Sequence, residues 1–347
     1  MIQRKKVIAI AMTAALAFSA AACGSDDDTT TTTAPAATSD TNIGLLFDIT
    51  GRGDRSFNDA AAAGLDRAKA EFGVTGNEST PAGDGDRAER LQGLLDQGND
   101  LVIGVGFLWE GAVADGATAN PDARFAIIDS VIDLPNVASL VFAEQEGSFL
   151  VGAAAALKSK TGIVGFIGGV QIDLIQRFEA GFTAGAKAIN PDIEVLVNYV
   201  SQPPDFSGFG DPARGKEIAA AQYEAGADVI YSAAGSSGLG AFEAAREAGA
   251  PGEVWAIGVD SDQYELVGPD LAPYILTSML KKVDVAVFET IKSLEEGSFA
   301  GGIRVFDLAS GGVGYSTSGG FIDDIAAQLD ELAAKVISGE ISVPSAP

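Results

Sequence analysis

The segment Asp48-Ile49-Thr50-Gly51-Arg52-Gly53-Asp54-Arg55-Ser56-Phe57-Asn58 places two carboxylates, a hydroxyl, an aromatic ring and an amide on one glycine-containing loop that feeds a helix. A helix N-terminus presents N–H groups without intrahelical partners, and Asn58 offers both a donor and an acceptor. Together they can hold a polar ligand. The same residues also suit a plain strand-to-helix turn capped by Ser56 or Asn58. Asp129 and Asp260 follow the apolar runs Phe125–Ile128 and Trp255–Val259, where a carboxylate can meet a ligand or cap the next turn. The loop Ser232-Ala233-Ala234-Gly235-Ser236-Ser237-Gly238 allows close backbone approach to a ligand, or simply turns the chain. If Asp48, Asp54, Asp129, Asp260 and Asp262 gathered in one cleft they could bind a hard cation, which leaves a carboxylate enzyme as one alternative.

Composition removes other chemistries. The chain of 347 residues has no histidine and one cysteine, so zinc sites, Ser-His-Asp triads and Cys-His nucleophiles lack their residues. Its 48 acidic residues face 22 basic ones, and a nucleic-acid partner, which requires a basic surface, is not expected.

These residues must be positioned by something, and the pattern of apolar runs says what. Ile43–Phe47, Leu101–Val105, Phe125–Ile128, Val137–Phe142, Ile163–Ile167, Glu194–Val200, Val229–Tyr231, Trp255–Val259 and Ile275–Ser278 read as strands, most of them apolar enough to be buried on both faces of a parallel sheet. Between them run helical patterns. Phe57, Ala61, Leu65 and Ala68 share a face, as do Leu174, Phe178 and Phe182, and Val283, Val287, Ile291 and Leu294. Asp211-Pro212 reads as an N-cap with proline at the first helical position, and Ile322 to Val336 suggests a closing helix.

Strand–helix alternation predicts an α/β fold of two doubly wound, Rossmann-like lobes, hinged around a central ligand cleft. Residues 42–142 are assigned to lobe 1, with a return segment of about 256–292. Residues 143–255 are assigned to lobe 2, with about 293–347.

The N-terminus carries a separate message. Arg4-Lys5-Lys6, the apolar run Val7–Phe18 and Ala20-Ala21-Ala22 make a secretory signal over residues 1–22, too short to span a bilayer. Cys23 follows at once, where a bacterial lipoprotein carries its lipid, and 23–41 has the composition of a tether. Without Arg4, Lys5 and Lys6 the chain keeps 19 basic residues against 48 acidic, a formal charge of −29. The expected location is the outer face of a cell membrane, by a lipid anchor.

The loop from Asp48 to Asn58 resembles the N-terminal motif of the basic membrane protein family, lipoprotein solute receptors of ABC transporters that include purine-nucleoside binders. Further segments match in order: Phe125–Asp129, Phe178–Phe182, Gly258–Gln263 and Thr277–Ala286, and the ending Gly339–Pro344 is similar too. The resemblance covers nearly all of the chain after the tether and implies a type I periplasmic-binding-protein-like fold. It also implies a ligand-binding set. Phe57 and Phe178 would sandwich a purine, Asn58 and Asp129 would bond its edge, and Asp260 would accept from ribose hydroxyls. Lys281 or its neighbour Lys282 would donate to the ribose, Gly235 would bring backbone to the sugar, and Asp48 and Ser56 complete the set.

The resemblance implies no enzyme activity, no cofactor and no metal; its partners are a small-molecule ligand and the permease and ATPase of the transporter, and a monomer fits that role. A sensor read by a membrane kinase, or a receptor for another small polar solute, are the alternatives. Two departures from the family pattern stand out. Asp173 replaces a usual proline ahead of the Phe178 helix, where it could cap that helix, and Arg52 and Arg55 place long cations near the expected cleft mouth. Trp109 could line the cleft or pack at a helix start.

Overall fold

The computed structural model describes residues 39–347. The expected signal sequence, Cys23 and nearly all of the expected tether lie outside the described residues. The described residues form one compact unit, and it contains two six-stranded sheets.

The first sheet is built from β1 (Asn42–Leu46), β2 (Thr75–Ser79), β3 (Leu101–Gly104), β4 (Arg124–Ile128) and β5 (Val137–Phe142), in the order β2-β1-β3-β4-β5. The second is built from β6 (Ile163–Val170), β7 (Glu194–Ser201), β8 (Val229–Ala233), β9 (Trp255–Asp260) and β10 (Ile275–Lys281), in the equivalent order β7-β6-β8-β9-β10. Each sheet is closed by one late strand. β11 (Gly302–Phe306) lies parallel to β5, and β12 (Val313–Tyr315) lies antiparallel to β10. The central strands are continuous apolar runs, and Ile43, Leu45, Ile103, Ile128, Phe166 and Ile257 are fully buried. Parallel strands covered on both faces require this composition.

Helices α1 (Phe57–Phe72), α2 (Arg87–Asp96) and α3 (Glu110–Ala119) belong to lobe 1. Helices α4 (Glu144–Lys158), α5 (Asp173–Ile189), α6 (Pro212–Glu224), α7 (Gly238–Ala248) and the single turn α8 (Gln263–Leu266) belong to lobe 2. Helix α9 (Val283–Glu295) packs on α1, and α10 (Ala326–Ile337) packs on α4. Asp211 caps α6 by accepting from the Arg214 N–H at 2.9 Å, with Pro212 at the first position, as expected.

The chain crosses between lobes three times, at 142–144, 281–283 and 306–313. This corrects the expected boundaries. Residues 256–282 carry β9 and β10 and belong to lobe 2, because their strands pair with β8 and with each other. Residues 283–306 carry α9 and β11 and belong to lobe 1. An apolar run reveals that it is a strand; which sheet it joins depends on pairing with residues far away in sequence.

Candidate functional site

The carboxyl ends of the two sheets enclose a cleft of about 600 Å³, mouth included. Lobe 1 lines it with the loop after β1, the turn after β3 and Asp129 after β4. Lobe 2 lines it with the first turns of α5, the loop after β8, Val259-Asp260 at the end of β9 and Lys281 at the end of β10. Ligand sites of doubly wound sheets form at such strand ends.

The lobe 1 loop is held by Asp54. Its Oδ1 accepts from the N–H groups of Ser56 at 3.0 Å and Asp59 at 3.1 Å, and its Oδ2 accepts from the N–H of Asn58 at 2.8 Å. Asp54 is therefore the side chain that satisfies the free N–H groups at the start of α1, while Ser56 makes no capping bond. Asn58 is equally engaged. Its Oδ1 accepts from the Asp48 N–H at 2.8 Å, and its amide donates to Thr50 Oγ1 at 3.0 Å and Asp54 Oδ2 at 2.9 Å. Phe57, between these two, turns its ring to the cleft.

Two carboxylates stand at matching places. Asp129 directly follows the fourth strand of the first sheet and Asp260 ends the fourth strand of the second, and both adopt the left-handed conformation, at φ 66° and 64°. Aspartate tolerates this region better than most residues, but it still costs energy, and such strain concentrates at ligand sites. Gly235 has φ 56°, and Gly106 has φ 101° with Asp48 Oδ2 only 2.6 Å from where a Cβ would stand. A side chain at Gly106 would intrude on the cleft wall.

The cleft floor is charged. The buried Lys281 ammonium lies 2.7 Å from each carboxylate oxygen of Asp129 and 3.1 Å from Glu144 Oε1. Burial alone would lower its pKa, but Asp129, Glu144 and Asp260 outweigh that and hold it above the ordinary lysine value. The same ammonium sits 5.2 Å from the ring centre of Phe57, 5.6 Å from that of Phe178 and 5.0 Å from that of Phe142, within range of cation–π attraction. Burial pushes Asp48 up to about 6, and does the same to Asp260 against the opposing effects of Lys281 and of the Ser56 hydroxyl.

The lobes also meet directly. Ser56 Oγ donates to Asp260 Oδ2 at 2.6 Å, Ser261 Oγ donates to the Ser56 carbonyl at 3.0 Å, and Gln263 Nε2 donates to the Arg55 carbonyl at 2.9 Å. Phe107 of lobe 1 and Phe206 of lobe 2 also contact edge to face, with ring centres 5.8 Å apart.

Asp48, Phe57, Asn58, Asp129, Phe178, Gly235, Asp260 and Lys281 all line this one cleft. Ser56 sits just behind it, fully buried against Asp260. Lys281 is the buried member of the lysine pair, while Lys282 leads into α9 and is partly exposed.

Two expectations, at Asp173 and Arg52, resolve differently, and the open choice at Trp109 is decided for packing. Asp173 is the first residue of α5 and makes no capping bond. Arg52 turns outward to Glu78 and Asp66 and keeps out of the cleft. Trp109 is fully buried and donates to the Phe47 carbonyl at 2.9 Å, as packing. Thr50, Phe107, Leu174, Ile175 and Phe209 also line the cleft without having been singled out. Phe209 lies in a glycine-rich loop, Gly208-Phe209-Gly210, and that flanking was its only sequence signal. No group of histidine, cysteine or acidic residues able to hold a metal ion occurs among the described residues.

Two doubly wound lobes joined by three crossovers, with a polar and aromatic cleft between them, define a solute-binding protein of the type I periplasmic-binding class. Residues 41–346 match the Bmp family, described as ABC transporter substrate-binding protein PnrA-like, and the chain belongs to that family. It is 36% identical to a Listeria monocytogenes protein named CD4+ T-cell-stimulating antigen, over 90% of each chain. It is also 36% identical to the ABC transporter nucleoside-binding protein BmpA of Lactococcus lactis, over 88% of this chain and 90% of that one. Among solved structures, an ABC transporter solute-binding protein from Aeropyrum pernix superposes with a TM-score of 0.77 at 33% identity, covering 88% of this chain and 93% of that one. The family consists of substrate-binding proteins of ABC transporters, so a small-molecule ligand and a permease are its partners.

Proposed function

We propose that this protein captures a purine nucleoside between its lobes and delivers it to the permease of an ABC importer, held to the outer face of the membrane by a lipid on Cys23. The observation that carries the ligand reading is the placing of Phe57 and Phe178, from opposite lobes, around one buried ammonium and two carboxylates. A flat base stacks between such rings at about 1–3 kcal/mol per contact. Asp129 accepts from the base edge, Asp260 accepts from the ribose hydroxyls, and Lys281 donates to the sugar. Four carboxylates line the cleft against one ammonium, which disfavours phosphorylated ligands. The name of the Lactococcus lactis relative, a nucleoside-binding protein, agrees with this reading.

The test is calorimetric titration of the compact unit, residues 39–347, unfolded and refolded beforehand to strip bound ligand, with adenosine, guanosine, inosine, cytidine, uridine, ribose and AMP. Purine nucleosides are expected to bind tightly, with pyrimidine nucleosides, ribose and AMP much weaker. Equal binding of cytidine and adenosine, or none of either, would replace the purine with another polar solute. For the anchor, Cys23→Ser is expected to move the protein from the membrane fraction to the soluble fraction. Unchanged fractionation would remove Cys23 as the lipid site.

A further inference from the structure

We propose that Glu144 is a positioning residue for the ligand, the resident counter-ion that fixes the Lys281 ammonium at the cleft floor and leaves it donors for the sugar. The inference rests on the nucleoside reading of the cleft.

Glu144 is the first residue of α4 and is 1% exposed, yet it forms no part of the cleft wall. One ammonium serves two carboxylates here, with Lys281 Nζ 2.7 Å from Asp129 and 3.1 Å from Glu144. The other charged groups around the pair are Asp260, which acts on Lys281 through space, and Arg177, whose guanidinium stands 3.6 Å from Glu144 Oε2. A buried carboxylate with so few donors is costly unless its ion pair is kept.

The two carboxylates differ in what carries them. Asp129 rides on the sheet of lobe 1. Glu144 and Lys281 lie on two adjacent crossovers, and both crossovers are tied to the third. The Ala143 N–H donates to the Phe306 carbonyl at 2.9 Å, and the Lys282 N–H donates to the Gly312 carbonyl at 2.9 Å. Glu144 and Lys281 therefore keep their separation when the lobes part, whereas the bond from Lys281 to Asp129 spans the lobes. An ammonium has three donors. With one given to Glu144, the others are free to pass from Asp129 to a sugar hydroxyl, and the lysine stays charged throughout.

The experiment compares wild type, Glu144→Gln, Lys281→Met and the double variant by titration with adenosine and with adenine, which lacks the sugar that Lys281 serves. Glu144→Gln is expected to weaken adenosine roughly tenfold and to change adenine by less than about twofold. The double variant is expected to bind adenosine no worse than Lys281→Met alone, because the two residues act as one unit. Equal losses for adenosine and adenine, or losses that add in the double variant, would overturn the proposal. A Glu144→Leu/Lys281→Met pair, which replaces the ion pair with apolar groups, supplies a folded control if Glu144→Gln does not fold.

A readout without ligand separates this idea from the nucleoside reading. The NMR titration of the Lys281 side chain is expected to shift down by about one pH unit or more in Glu144→Gln. An unchanged midpoint would sink the role of Glu144 whatever the ligand is. A wild type that binds no nucleoside, with the midpoint still shifted in Glu144→Gln, would sink the nucleoside reading alone.

Discussion

The cleft wall contributed by lobe 1 is a loop that satisfies itself, with Asp54 and Asn58 using their polar atoms on neighbouring backbone and on Thr50. The wall contributed by lobe 2 is mainly apolar, with Leu174, Ile175, Phe178, Phe209 and Ala233, and its charge is concentrated in Asp260 and Lys281. Both walls rise from sheets of the same strand order, and both place an aspartate in the left-handed conformation at the end of the fourth strand. A common scaffold thus presents a self-bonded polar edge on one side and a greasy face with one buried cation on the other. The difference teaches that the topology supplies places, and that the loops decide which place recognises and which place packs.

The comparison can be broken most severely at Asp54. Asp54→Ala removes the acceptor of three backbone N–H groups and one amide, and unfolding in urea is expected to show a loss of about 3 kcal/mol. A loss below about 0.5 kcal/mol would mean that the lobe 1 loop does not depend on this carboxylate.

Next come the rings. Phe57→Ala and Phe178→Ala are each expected to weaken purine-nucleoside binding by about 2 kcal/mol, roughly thirtyfold. If only one of them matters, the base stacks on one lobe and the sandwich is wrong.

Asp48 gives a smaller effect with a definite sign. Its folded pKa is raised by burial to about 6, above the 3.8 of an ordinary aspartate, so its charge destabilises the fold at neutral pH. Protonation relieves this as pH falls through about 6. Asp48→Asn, which can still accept from the Ile49 N–H, is expected to be more stable than wild type by about 1–2 kcal/mol above pH 6. The advantage should vanish below about pH 4. A difference independent of pH would show that Asp48 is not held up by burial. The smallest change is expected at Arg52, whose guanidinium is exposed and paired outside the cleft. Arg52→Ala should leave ligand affinity within about twofold and cost at most about 1 kcal/mol of stability.

Much of this was readable from the chain. All nine expected strands lie on observed ones; eight are buried parallel strands, which are unbroken apolar runs, and the half-exposed edge strand β7 was legible from its own valines, leucine and tyrosine. The three that escaped are edge strands. Thr75–Ser79 is polar and half-exposed, Gly302–Phe306 leaves Ile303 and Val305 open to solvent, and Val313–Tyr315 has only three residues. Edge strands carry no two-sided apolar signature. The expected residues that line the cleft came from ordered motifs, but Glu144, Phe107 and Phe209 carried no motif and were passed over. A lone glutamate at a helix start gives no sign that it will be buried against a lysine more than a hundred positions away.

The sequence by itself determined the alternation of strands and helices, the absence of histidine chemistry, and the Phe57 and Asp260 motifs, because these depend on residue type and short spacing. Tertiary structure alone decided which lobe owns 256–306, that Asn58 braces its own loop, and that Lys281 rather than Lys282 reaches the cleft between Asp129 and Glu144. Strand pairing, side-chain direction and the sharing of one charge between two lobes are long-range facts. They exist only once the chain has brought distant residues within a few ångströms of each other.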